Sequence, residues 1–128
     1  RFTFRAIHAI QATTNHQWKP ELLDFRRSNM IYTIENIKNK SKKVFDNQDF
    51  VKEVYLFGSY ARGEATEKSD IDFMVVLNRE VGMEFFGLYQ FLQDEFEKEV
   101  DVLTEKEAYD IMPESIERDK VKIYGDEY

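Results

Sequence analysis

The sequence contains no cysteine, which excludes disulfides, thiol catalysis and Cys-ligated zinc. Its only histidines, His8 and His16, are too sparse for a metal site. No apolar run approaches the roughly 18 to 20 residues that span a bilayer, and nothing has the pattern of a signal peptide. These absences point to a cytoplasmic protein with no membrane partner. Basic residues are in the minority: 18 Lys and Arg stand against 25 Asp and Glu, a net charge of −7. An acidic body repels a polyanion at long range, which disfavours nucleic acid as the main partner. A small anion carried by metal ions stays compatible, because the ions reverse the local field.

What is present suits one packed domain. The chain has 128 residues, 42% of them hydrophobic and 15% aromatic, enough for a modest core. Its charge is uneven: residues 1–29 carry a net +3, and the remainder carries −10. The first 29 residues also hold both histidines, the single tryptophan (Trp18) and one of two prolines (Pro20), and the first methionine is Met30. Residues 1–29 therefore read as a vector-derived or otherwise foreign extension, and residues 30–128 as the functional domain.

Within that domain, Ile31, Ile34, Ile37, Val44 and Phe45 recur at helical spacing, with Lys38, Lys40, Lys42 and Lys43 on the solvated faces. Val51 to Phe57 is a short apolar, partly β-branched run that reads as a buried strand ending at Gly58. Residues 59–69 form a polar connection with room for one helical turn, and 70–77 a second strand. From Met83 to Glu99 the pattern is helical: Phe85, Leu88, Leu92 and Phe96 make one stripe. Phe86, Tyr89 and Phe91 widen it beyond a single buried face, which leaves surface for a partner. Asp94, Glu95, Glu97 and Glu99 read as a solvated acidic face. Val100 to Thr104 is a third strand, Glu105 to Met112 a helix ended by Pro113, Ser115 to Lys120 a further turn, and Val121 to Tyr124 a terminal strand.

The chemistry lies in the carboxylates. Side chains two apart on a strand share a face, so Asp70 and Asp72 project together at the start of the second strand. Two ionised carboxylates that close repel each other, and a divalent cation removes the conflict. Magnesium combines such oxygens with water and substrate phosphates. Gly58-Ser59 follows the first strand directly. A glycine there lets backbone N–H groups approach an anion, the serine hydroxyl adds a donor, and a helical turn would add its dipole. Such a turn suits the β- and γ-phosphates of a nucleoside triphosphate. Arg62 and Lys68, in the same connection, could neutralise phosphate charge, though Arg62 could equally form a surface ion pair and Lys68 reads more readily as a surface cation. A third acid, Asp101, is flanked by apolar strand residues, where an unpaired carboxylate is costly. Completing a metal cluster with Asp70 and Asp72 would account for it. This set fits a two-metal template in which a hydroxyl attacks the α-phosphorus and pyrophosphate leaves. Asp101 could instead take the hydroxyl proton.

The stretch Leu56-Phe57-Gly58-Ser59-Tyr60-Ala61-Arg62-Gly63-Glu64-Ala65, with Ser69-Asp70-Ile71-Asp72-Phe73-Met74-Val75 and Val100-Asp101-Val102-Leu103-Thr104, resembles the minimal nucleotidyltransferases of the DNA polymerase β superfamily. The resemblance runs essentially from Met30 to the C-terminus. It implies an α/β fold (of the α+β kind) with a small mixed sheet and flanking helices. It also implies Mg²⁺, as two ions with Mn²⁺ as an alternative, and ATP as the substrate. Such proteins often act as antitoxins beside a HEPN-domain partner, some by attaching AMP to a tyrosine of it. The expected function is transfer of AMP to a partner hydroxyl; the alternative is a non-catalytic subunit that neutralises a HEPN-type partner by contact. No separate nucleobase region is identifiable, so a partner or a second copy of the chain is expected to complete the pocket.

Overall fold

The computed structural model describes residues 30–126; the extension expected at residues 1–29 lies outside them. The first helix, α1 (Ile34–Asp46), is capped by Thr33, whose hydroxyl accepts from the Asn36 N–H at 3.0 Å. It buries Ile37, Ser41, Val44 and Phe45. Strand β1 (Val51–Phe57) runs straight into a short helix, α2 (Gly58–Arg62). Strand β2 (Ile71–Leu77) leads to α3 (Glu84–Phe96), which returns the chain to β3 (Val100–Thr104). Two short helices, α4 (Glu105–Ile111) and α5 (Pro113–Asp119), precede β4 (Val121–Tyr124).

Each expected strand lies within a residue of its sequence position. The main departure is at Pro113, which begins α5 as well as ending α4. Proline suits the first position of a helix, where its missing N–H has no partner to lose. Of Ser115 to Lys120, expected as a turn, Ser115 to Asp119 is therefore part of a seven-residue helix and Lys120 is its C-cap.

The sheet order is β3-β2-β1-β4. β1 pairs antiparallel with β2 and β4, while β2 and β3 are parallel and joined through α3. Strand alternation divides the core in two. Val54 and Leu56 of β1, Ile71, Phe73 and Val75 of β2, and Val100 and Val102 of β3 meet α1 and α3 in the larger cluster. Phe57, Met74 and Leu103, one residue out of phase, meet Ala108 of α4 and Ile116 of α5 in the smaller. Each buried side chain of this size contributes about 1.5–3 kcal/mol, so the larger cluster is the main source of stability. No helix among the described residues is long and apolar enough to cross a membrane.

Candidate active site

The alternation that builds the core also gathers the acids. Asp72 lies between Ile71 and Phe73, both fully buried on the α1/α3 side, and so faces the other way, with Met74. Asp101 lies between Val100 and Val102 and likewise shares its face with Leu103. In the parallel β2–β3 ladder Asp72 and Asp101 are direct register partners, and in the antiparallel β1–β2 ladder Asp72 stands opposite Phe57. The last residue of β1 therefore sits beside the carboxylates, and Gly58 follows it. Asp70, Asp72 and Asp101 are all half-buried at this end of the sheet.

Gly58 is held at φ +75, and a Cβ built there would overlap Asp72 Oδ2 and lie 3.1 Å from Asp72 Cγ. A side chain is excluded twice, by the left-handed backbone and by the carboxylate against it. The Gly58-Ser59 turn and Asp72 are thus in direct apposition. Helix α2 has only five residues, too short for the dipole expected from the sequence to matter, so any anion would rely on the turn itself. Gly63, also left-handed at φ +74, ends that helix.

Arg62, expected as a phosphate ligand or a surface cation, is paired with two carboxylates. Its Nε donates to Glu64 Oε1 at 2.9 Å and its Nη1 to Asp119 Oδ2 at 3.0 Å. It ties α2 to the end of α5. Asp119 is almost fully buried, and the guanidiniums of Arg118 and then Arg62 hold its carboxyl down at about 2. Lys68 lies exposed in the loop between α2 and β2.

Two residues of this region had escaped sequence reasoning. Asp119 was hidden in a charged run, Glu-Arg-Asp-Lys, with no periodic signal. Lys98 lay inside the acidic run from Asp94 to Glu99, yet it is only 2% exposed and its Nζ donates to the Glu67 carbonyl at 2.7 Å. That run is not one solvated face: Glu95 takes ion pairs from Lys40 and Lys43, and Glu99 is half-buried. Lys43 is exposed, as the helix pattern suggested, and Lys40 is half-buried. Of the surplus aromatics on α3, Tyr89 is buried and Phe86 half-buried, while Phe91 is 55% and the neighbouring Met83 80% exposed. A groove of about 360 Å³ beside Phe91, lined also by Val44 and Gln48, lies on the α1/α3 side and not with the aspartates.

Among the described residues no three His, Asp or Glu side chains stand close enough to hold a cation as they are. The donor chemistry nonetheless fits Mg²⁺. Asp72 and Asp101 offer hard oxygens from adjacent register positions, with the Gly58-Ser59 turn packed on one of them. Magnesium takes one or two carboxylates and completes its shell with water and substrate phosphate, so a full protein cage is not required.

Residues 34–124 match the nucleotidyltransferase domain family. A Methanocaldococcus jannaschii protein, provisionally named a protein adenylyltransferase, is 38% identical over 94 residues, covering 70% of this chain and 94% of the relative. A crystal structure of a toxin–antitoxin with AMP-PNP superposes with a TM-score of 0.61 at 26% identity, over 70% of this chain and 74% of that one. A structure of tri-AMPylated Shewanella oneidensis HEPN toxin in complex with MNT antitoxin superposes at 0.57, with 23% identity over 73% and 74% of the two chains, which speaks for the shared fold. With β1, the Gly58-Ser59 turn and the aspartates of β2 and β3 all inside the matched span, the chain belongs to the nucleotidyltransferase domain family.

Proposed function

We propose that this chain is a protein adenylyltransferase that moves AMP from ATP onto a hydroxyl of a HEPN-domain partner in the cytoplasm, and so acts as its antitoxin. The observation that carries this reading is the apposition of Gly58 and the Asp72 carboxylate, with Asp101 in register beside it. The reaction class is supported by the 38% identical relative named for protein adenylyl transfer, and the nucleotide by the AMP-PNP of the 26% identical complex.

On this reading Gly58 and Ser59 receive the terminal phosphates, and Lys68 lends charge from the loop. Arg62, engaged by Asp119 and Glu64, holds the turn in place and does not reach for the phosphate. Asp70, Asp72 and Asp101 would hold two Mg²⁺ ions (or Mn²⁺), which supply charge neutralisation and a more acidic attacking hydroxyl. The partner's hydroxyl oxygen bonds to the α-phosphorus, the bond from that phosphorus to the β-bridging oxygen breaks, and pyrophosphate departs. Asp101, delivered from a different strand from the other two acids, accepts the hydroxyl proton.

The test is incubation with Mg²⁺, α-labelled ATP and the HEPN-domain protein with which the chain forms a complex. Label on the partner, lost with Asp72→Asn, is expected. A confirmed complex that stays unlabelled with wild type counts against the reading. A second reading, neutralisation by contact alone, is favoured by the exposed Phe91 and Met83 on α3. An Asp70→Asn, Asp72→Asn double variant that still protects cells from the partner would establish it.

A further inference from the structure

The three aspartates are not held in the same way. Asp72 and Asp101 are fixed by ladder pairing with each other's strands. Asp70 precedes β2, which begins at Ile71, so its place depends on the loop that delivers it. That loop is stitched internally: the Thr66 N–H donates to Ser69 Oγ at 2.8 Å, and the Ser69 N–H to the Thr66 carbonyl at 3.0 Å. Internal bonds give it a shape but do not anchor it to the sheet.

The anchors come from the three-residue turn between α3 and β3. Glu97 adopts a left-handed conformation at φ 52, uncommon for a residue with a side chain, and turns the chain out of the helix. The next residue, Lys98, is thereby carried inward and donates to the Glu67 carbonyl at 2.7 Å. The residue after it, Glu99, presents its carbonyl to the Ile71 N–H at 3.2 Å. Asp70 is bracketed by these two links, one three residues before it and one a single residue after it. Burying a lysine ammonium is costly without strong compensation, and a methionine would fill the same space more cheaply. A charged donor at this point is therefore explained by what it holds.

We infer that Lys98 is a positioning residue for Asp70: it locks the loop of residues 63–69 onto the entry of β3 and so fixes where Asp70 stands relative to Asp72 and Asp101. This rests on the proposed nucleotidyl transfer. Displacing a reacting or ligating group by about 1 Å can cost on the order of 100-fold, so a loosened loop has a measurable effect.

The experiment is calorimetric titration of ATP at a series of Mg²⁺ concentrations, on wild type, Lys98→Met, Lys98→Arg, Asp70→Asn and the Lys98→Met, Asp70→Asn pair, each with a melting curve. Lys98→Met is expected to raise the Mg²⁺ concentration needed for half-maximal binding at least tenfold, given that displacement cost. Lys98→Arg, which keeps the charge and the donors, is expected to restore most of it. In the Asp70→Asn background the same change should add almost nothing, because Lys98 acts through Asp70. A residue that merely supports the fold would lower the melting temperature and leave the Mg²⁺ dependence alone, and that result overturns the inference. So does full additivity with Asp70→Asn. If Lys98→Met does not fold, Lys98→Gln removes the charged donor to the Glu67 carbonyl while keeping a polar side chain, and an unchanged Mg²⁺ dependence there overturns it equally. Wild type that shows no Mg²⁺-dependent ATP binding removes the proposed function and this inference with it; wild type that binds, with Lys98→Met indistinguishable from it, removes the inference alone.

Discussion

Replacing Gly58 by alanine separates two costs that usually arrive together. Gly58 and Gly63 have nearly the same backbone conformation, φ +75 and +74, but a Cβ at Gly58 overlaps the Asp72 carboxylate, whereas one at Gly63 meets nothing within 4 Å. Forcing an L-residue into the left-handed region costs about 1–2 kcal/mol at either site. Both variants should therefore lose that much in urea unfolding, and each kcal/mol should lower the melting temperature by roughly 4–8 °C in a domain of this size. At Gly58 something further must give. Either the turn lifts away from the sheet or Asp72 rotates off its register with Asp101, and a shift near 1 Å costs on the order of 100-fold in rate. The assay is Mg²⁺-dependent transfer from α-labelled ATP to the partner, run well below both melting temperatures. Gly63→Ala should keep its activity there, and Gly58→Ala should lose about two orders of magnitude on the same estimate. Equal activities in the two variants would refute the argument, because backbone strain would then be the whole effect and the apposition with Asp72 would have no chemical meaning.

Other consequences can be measured independently. Asp119 is held at about 2 in the folded chain, against an ordinary value of 3.8. A depressed carboxyl stabilises the fold above its unfolded pKa, and that contribution fades as pH falls through the folded value. The stability difference between wild type and Asp119→Asn should thus be constant above about pH 4 and shrink between pH 4 and 2 in denaturant titrations; a difference that grows on acidification contradicts the Arg118 and Arg62 pairing. Thr104 and Glu107 form a reciprocal capping box at the start of α4, so Thr104→Ala should cost about 1 kcal/mol by chemical denaturation and leave Mg²⁺-dependent ATP binding intact. The Tyr32 hydroxyl donates to the Phe96 carbonyl at 2.8 Å in a buried setting, so Tyr32→Phe should destabilise by about 1 kcal/mol, and an unchanged denaturation midpoint would show that the bond contributes nothing net.

The strands and their faces were legible in the sequence because alternation is a local signal. Ile71, Phe73 and Val75 announce one buried face, and Asp72 can then only lie on the other. Gly58 was legible for a related reason: a glycine directly after an apolar strand and ahead of Asp-Ile-Asp has few roles. Arg62, Asp119 and Lys98 were not legible. Asp119 lies 57 residues from Arg62, and the carbonyl that Lys98 reaches is 31 residues from it. In a chain with this much charge, nothing in the local pattern separates a buried lysine from the solvated ones around it. Pro113 misled in a milder way, because it stops α4 and also opens α5, whose Ile116 shares a buried cluster with Met74 and Leu103.

The parallel pairing of β2 with β3 also has a consequence in time. Asp72 and Asp101 meet only after α3 has carried the chain from one strand to the other, and the central strand β1 does not gain its second neighbour until β4 is in place. A ribosome adding about 5–20 residues per second exposes the Gly58 turn and the first two acids well before the third. On the proposed reading, the nascent chain therefore passes through an interval in which the turn meant for phosphate has been made but the full set of acids has not. On that reading activity awaits nearly the whole domain, and truncated products ending before Asp101 would be inert with ATP.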